Sequence, residues 1–138
     1  MKIDFMAPIL DRIRFMHARI GSPGNIQMPV GDGTKRPAQA SGETDYLADF
    51  KKLWTRAMSG FLQTAAPGDF LIFCPELLSR RYSYARTFPD ASGTHHEESD
   101  RYAEALTYAR IARECFTSAQ LATSINMPEN HPVPKPVP

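Results

Sequence analysis

The stretch from Gly68 to Glu76 constrains the fold of this chain more than any other, because four apolar residues, Phe70 to Phe73, lie between a Gly-Asp turn and a carboxylate. A run without polar alternation is typical of a strand buried on both faces, as in parallel sheets. Alternation along the strand places Ile72, Cys74 and Glu76 on one face. Glu76 then lies at the carboxyl end, where α/β proteins bind ligands. The alternative is a shorter strand with Glu76 in a solvated loop.

A second strand is predicted over residues 13–20, before Gly21. Alternation places His17 and Arg19 on one face and Met16 and Ala18 on the other. Residues two apart on a strand are about 6.5–7 Å apart, so the imidazole and the guanidinium project side by side. A single histidine among apolar residues is more often a hydrogen-bonded core residue than a ligand. The neighbouring Arg19 favours the ligand interpretation.

Two amphipathic helices alternate with these strands. Apolar residues recur at three- and four-residue steps from Tyr46 to Leu62, and a second pattern begins after a cap at Ser99 or Asp100, reaches about Ser118 and continues weakly to Ile125. Strands that alternate with helices indicate βα units with a parallel sheet. The apolar face predicted for the second helix comprises Tyr102, Ala105, Leu106, Ala109, Ala112, Cys115 and Phe116.

Length and composition limit the partners and the location. With 138 residues the chain has room for one core, and its net charge of +1 gives no global field for capturing nucleic acid or an anionic membrane. No window approaches the roughly 20 apolar residues of a membrane span.

Cys74 and Cys115 have no CxxC spacing and are predicted to be buried, free thiols, which indicates the cytoplasm. The predicted domain is residues 1–125, followed by a proline-rich, disordered tail, 126–138.

A loop rich in arginine and tyrosine is predicted from Leu77 to Glu98. Guanidinium groups match oxyanions bidentately, so Arg81 and Tyr84 are candidates for contact with a sugar or a phosphate, and a solvated rim is the equal alternative. The run from His95 to Glu98 resembles a metal cluster only superficially, because adjacent loop residues rarely converge on one ion.

Several short motifs occur in a fixed order along the chain: H-A-R-I-G at 17–21, Q-M-P at 27–29, Trp54, C-P-E-L at 74–77 and Y-A at 84–85. This order resembles the C-terminal part of the xylose isomerase-like TIM barrels, the sugar phosphate isomerase/epimerase family, over roughly residues 5–120. The resemblance implies an α/β fold made of the C-terminal βα units of a (β/α)8 TIM barrel. A complete barrel needs about 250 residues, so this barrel is incomplete.

The resemblance also implies a site and a reaction. His17 and Glu76 would bind a divalent metal, Mn²⁺, Mg²⁺, Co²⁺ or Zn²⁺, and Glu76 would act as the catalytic base. Arg19 and Gln27 would contact a sugar or sugar phosphate, which isomerises or epimerises through an enediolate. Earlier strands supply the family's other metal ligands, so the expectation is a fragment from a truncated or split gene. Such a fragment would be inactive alone, and would associate with itself or with the missing N-terminal half of the barrel.

Two other function classes compete with this interpretation. In the first, the chain is a non-catalytic binding module in which Arg19, Arg80, Arg81 and Arg86 hold a phosphorylated or acidic small molecule. In the second, it is an endonuclease of abasic DNA, an activity that shares the barrel architecture. The near-neutral charge and the missing zinc-ligand histidines argue against the endonuclease.

Overall fold

A pair of short parallel strands, covered on one face by two long helices, forms the centre of the fold. The structure is a computed structural model and describes residues 4–31, 33 and 44–125. The predicted tail, 126–138, lies outside these residues. In chain order the elements are a 3₁₀ turn (Asp4–Met6), α1 (Ala7–Leu10), β1 (Phe15–Ala18), α2 (Tyr46–Thr64), β2 (Ile72–Pro75), a second 3₁₀ turn (Arg80–Tyr82), β3 (Thr87–Pro89), β4 (His95–Glu97) and α3 (Arg101–Ile125).

The two strands predicted to be parallel are paired in that sense. β1 and β2 form a two-stranded sheet in which Phe15 lies opposite Ile72 and His17 lies opposite Cys74. The long helix α2 connects them, as a crossover between parallel strands requires. The prediction of an α/β fold is therefore confirmed, and the strands of the described part of the chain form no closed barrel.

The prediction that β2 is buried on both faces is wrong. Phe70 and Ile72 are 72% and 42% exposed, whereas Leu71 and Phe73 pack against the core. The apolar run was interpreted as a central strand, but the helices cover only one face of a sheet that has two strands within the described residues. Cys74 lies on the uncovered face and is exposed, so only Cys115 of the two free cysteines is buried as predicted.

Trp54 lies at the centre of the covered face, as a packing residue. It is 3% exposed, and its ring lies 5.1 Å from the ring of Phe73 on β2 and 5.7 Å from the ring of Tyr108 on α3, between centroids. Both distances are within the range of favourable aromatic pairs. These contacts join both helices to the sheet around one indole.

Helix α3 extends beyond Ser118, where the strong apolar pattern ends, and it buries a different face from the one predicted. Asp100 caps it, because its Oδ1 accepts the N–H groups of Tyr102 and Ala103. The predicted apolar face is wrong in part: Tyr102 and Leu106 are 73% and 75% exposed. The residues that the helix buries are Glu104, Tyr108, Ile111, Ala112, Cys115 and Ala119.

Two polar contacts explain why α3 is rotated relative to the prediction. The hydroxyl of Tyr108 accepts the N–H of Ile20 at 2.9 Å, and Oε1 of Glu104 accepts the N–H of Val30 at 2.9 Å. Both N–H groups belong to the segment after β1 and are buried, where an unpaired donor costs about 1–3 kcal/mol. Apolar side chains lie on more than one face of α3, so these two hydrogen bonds determine which face is buried.

The predicted loop from Leu77 to Glu98 contains an antiparallel hairpin, which the sequence interpretation missed. β3 pairs with β4, with Phe88 opposite His96. The carboxylate of Asp90 closes the turn by accepting the N–H groups of Ser92 and Thr94, and Gly93 has a φ of +83°. Hydrogen bonds from Ser92, and then from His96, lower the pKa of Asp90 to about 2. The Asp-x-Ser-Gly sequence is a turn signal that would have located this hairpin.

No helix in the described ranges is both long enough and apolar enough to cross a lipid bilayer.

Candidate functional site

The carboxyl ends of β1 and β2 bring the two central sequence-predicted residues together. His17 lies on the uncovered face of β1. Glu76 directly follows β2, and its N–H donates to the carbonyl oxygen of Ala18 at 2.9 Å. This hydrogen bond continues the parallel ladder by one residue, so it fixes Glu76 next to the end of β1. Nδ1 of His17 and Oε2 of Glu76 lie 3.3 Å apart.

Arg19 and Tyr84 complete what we call the rim site, defined as His17, Arg19, Glu76 and Tyr84. Nη1 of Arg19 lies 3.8 Å from Oε1 of Glu76. The guanidinium carbon of Arg19 lies 4.5 Å from the centroid of the Tyr84 ring, at the distance of a cation–π interaction. The carboxylate of Glu76 thus has two partners, one imidazole and one guanidinium. Tyr84 packs against the same guanidinium.

One polar atom of the rim site is unsatisfied. Nη1 of Arg19 is buried and has no hydrogen-bond partner among the described residues. Buried polar groups in proteins nearly always have a hydrogen-bond partner, and Nη1 of Arg19 has instead only the longer ion pair with Oε1 of Glu76. The side chain of Arg19 is 23% exposed, that of Glu76 35% and that of His17 57%. An approaching molecule would therefore reach His17 and Glu76 first.

Gln27 supports the loop beneath the rim site. Its side chain is buried, and its amide makes two hydrogen bonds with the backbone of Leu78: Nε2 donates to the carbonyl oxygen at 3.1 Å, and Oε1 accepts the N–H at 2.8 Å. This pair fastens the loop after β1 to the segment after Glu76. The structure thus gives Gln27 a positioning role, and its predicted contact with substrate stays a prediction.

Arg81 lies elsewhere. It belongs to the 3₁₀ turn Arg80–Tyr82 and lines a separate cleft with Ser83, Thr87 and His95. The sequence predicts that Arg81 and Tyr84 lie in one loop and contact the same ligand. The turn and the hairpin separate them, because Tyr84 packs on Arg19 whereas Arg81 faces the hairpin.

A divalent metal fits this geometry only in part. Two ligands of one ion with bonds of about 2.1 Å are roughly 3.0–3.4 Å apart, which is the separation of Nδ1 of His17 and Oε2 of Glu76. No group of three His, Cys, Asp or Glu side chains suited to a metal occurs within the described ranges. The described residues thus supply two donors, and the remaining ligands of a complete site would have to come from outside them.

The rim site has the chemical groups for proton transfer. A carboxylate within about 3.3 Å of an imidazole pairs a general base with a group that can orient it or share its proton. Arg19 adds a positive charge that stabilises negative charge on Glu76 or on a bound molecule.

Comparisons with known proteins gave no match: no family model fits the chain, and no curated protein or solved structure is detectably similar to it. The resemblance to the isomerase/epimerase barrels therefore depends on the motifs themselves.

Proposed function

We propose that this chain supplies the C-terminal βα units of a metal-dependent sugar or sugar phosphate isomerase/epimerase-like (β/α)8 barrel in the cytoplasm, and that it is inactive alone. One observation carries the proposal: His17 and Glu76 meet, 3.3 Å apart, at the carboxyl ends of two adjacent parallel strands. Barrel enzymes build their active sites at this end of the strands.

Each residue of the rim site has a role in the proposed reaction. Glu76 removes the proton from the carbon next to the sugar's carbonyl group and returns it from the same side to the former carbonyl carbon, which isomerises the sugar, whereas epimerisation would need a proton donor on the opposite side. The positive charge of Arg19 stabilises negative charge that develops on a substrate oxygen, and Tyr84 keeps the guanidinium in place. His17 and Glu76 are the metal ligands that this chain would contribute. A bound divalent ion would polarise the substrate's oxygens and lower the barrier to proton removal.

Two uncovered surfaces support an incomplete barrel. The face of the sheet that carries Phe15, Ile72 and Cys74 is exposed, and it would become the barrel interior. An open groove of about 650 Å³ lies between α2, β2 and α3, and its lining is mainly apolar, with Phe61, Phe70, Leu71, Phe73 and Phe116. We propose that a further parallel βα unit of the same architecture occupies this groove, because exposed apolar patches of this kind mark interaction surfaces.

Binding of Mn²⁺ tests the metal ligands without requiring activity. We expect Mn²⁺ at low concentration to broaden the NMR signals of the His17 ring selectively, because an ion held by His17 and Glu76 lies within bonding distance of that ring. Glu76→Gln removes an ionised ligand. We expect it to lower the affinity for Mn²⁺ about tenfold, because a charge-assisted contact contributes about that much to binding. Glu114→Gln, an exposed change of the same type on α3, should leave it unchanged.

Two results would count against the metal assignment. One is equal broadening in the wild type and in Glu76→Gln. The other is stronger broadening of His95 or His96, which would place the ion on the hairpin.

Sedimentation velocity tests whether the uncovered apolar surfaces of the chain are sites for further barrel units. We expect the isolated chain to self-associate as its concentration rises, because copies of it can cover one another's apolar sheet faces and grooves. Ile72→Lys places a charge on the uncovered face and should shift the equilibrium towards monomer, whereas Leu121→Lys, an exposed position on α3, serves as the control. A stable monomer at all concentrations would contradict the incomplete barrel.

A further inference from the structure

A second cleft lies between the 3₁₀ turn Arg80–Tyr82 and the β3–β4 hairpin. Its volume is about 550 Å³, within the usual range of small-molecule sites, and it opens to solvent. We call it the hairpin cleft and define it by its lining residues Arg80, Arg81, Ser83, Ala85, Thr87 and His95.

The lining of the hairpin cleft favours an anion. It carries two guanidinium groups, one imidazole and two hydroxyl groups, and no carboxylate is among its lining residues. Guanidinium groups are donors only, and their planar fork matches the oxygens of a phosphate bidentately. The hydroxyl of Ser83 can donate to a remaining oxygen, whereas that of Thr87 lies 3.1 Å from Nδ1 of His95 and shares a hydrogen bond with it. The set is therefore rich in donors for a ligand made of acceptors.

Arg80 is already held in position. Its guanidinium donates to the carbonyl oxygen of His95, and its backbone N–H donates to Oε1 of Glu97 at 3.0 Å. These two contacts hold the turn against the hairpin. Arg80 is therefore already ordered, and a ligand that binds it pays little additional conformational entropy. The carboxylate of Glu97 also accepts two hydrogen bonds from Arg101, at 2.8 and 2.9 Å. The backbone N–H of Arg80, followed by Arg101, holds the pKa of Glu97 below its usual value, and this acid is thus engaged outside the cleft.

Arg81 differs from the other arginines of this region. Arg86 pairs with Glu98 at 3.3 Å, and Arg19 lies against Glu76 and Tyr84. Arg81 is exposed, and it makes no hydrogen bond or ion pair with any residue that the structure describes. Its donor fork is therefore available to a ligand in the cleft.

We infer that the hairpin cleft binds the phosphate group of a small phosphorylated molecule, with Arg81 as the main contact and Arg80 as the fixed one. The inference is independent of the rim site, because it uses none of its four residues. The net charge of +1 and the limited volume favour a small ligand over a nucleic acid.

Titration with inorganic phosphate and with methyl phosphate tests the inference, at constant ionic strength and with a chelator present. We expect saturable shifts of the backbone amide signals of Ser83, Thr87 and His95. Arg81→Gln should weaken binding at least about tenfold, and Arg81→Lys should weaken it less, because it keeps the charge but loses the fork. Arg12→Gln removes the same charge at an exposed position before β1 and should bind like the wild type.

Three results would overturn the inference: the absence of saturable shifts, equal weakening by Arg81→Gln and Arg12→Gln, and equal binding of acetate. Shifts confined to His17 and Glu76 would likewise overturn it, since they would place the phosphate at the rim site. Circular dichroism of each variant shows that the fold is retained. Loss of phosphate binding leaves the Mn²⁺ experiment unaffected, so the two proposals can fail separately.

Discussion

Ile111→Ala is expected to lower the free energy of unfolding by about 2–5 kcal/mol, whereas Leu106→Ala on the same helix should change it by no more than about 0.5 kcal/mol. Ile111 lies on α3 and is fully buried in the core, whereas Leu106 is 75% exposed. Truncating the first removes buried methyl groups and leaves a cavity, whereas truncating the second removes groups that are already in water.

Urea unfolding followed by circular dichroism measures both changes, with the m-value as the check that the unfolded state is unaltered. The sequence pattern placed Leu106 on the core face of α3 and did not include Ile111. A larger loss for Leu106→Ala than for Ile111→Ala would therefore restore the face that the sequence predicted and would contradict the observed packing.

Glu104→Ala is expected to be about 1–3 kcal/mol less stable than Glu104→Gln at neutral pH. Both substitutions remove the negative charge, but glutamine keeps a carbonyl oxygen that can accept the buried N–H of Val30, whereas alanine leaves that donor unpaired. Thermal and urea unfolding of the two variants measure the difference. Equal stabilities would mean that the hydrogen bond to Val30 contributes nothing.

The pH dependence of the wild type follows from the same carboxylate. Burial raises the pKa of Glu104 above its usual value of 4.5, because desolvation disfavours the ionised form. The folded state then binds the proton more tightly than the unfolded state, so the contribution of Glu104 to stability falls as pH rises between the unfolded and the folded pKa. The wild type should gain stability relative to Glu104→Gln as pH is lowered through that window. A difference between the two that does not vary with pH would contradict the raised pKa.

The local pattern was sufficient for β1, α2, β2 and α3 and for the core of the candidate site. Alternation along each strand placed His17 and Glu76 on matching faces, and the order of strands and helices required both strands to end at the same edge. These inferences use only the geometry of single elements and of a parallel connection. For that reason they hold in the structure, where the two side chains lie 3.3 Å apart.

Two features depended on contacts between distant parts of the chain, whereas the hairpin turn has a local sequence signal. The exposed face of β2 depends on how many strands the sheet contains, which an apolar run such as Phe70 to Phe73 does not encode. The separation of Arg81 from Tyr84 depends on the hairpin, which brings His95 against the Arg80–Tyr82 turn. The turn signal at Asp90 to Gly93 was present in the sequence but was overlooked among the polar residues around it.

The sequence by itself determined the order β1, α2, β2, α3 and the end of the sheet at which the acid and the imidazole lie, since both follow from side-chain periodicity. Only the tertiary structure decided which face of α3 is buried. Hydrophobic burial is not directional and would accept several rotations of a helix with apolar residues on most sides. The hydrogen bonds of Tyr108 to Ile20 and of Glu104 to Val30 are directional, and they join residues 88 and 74 positions apart.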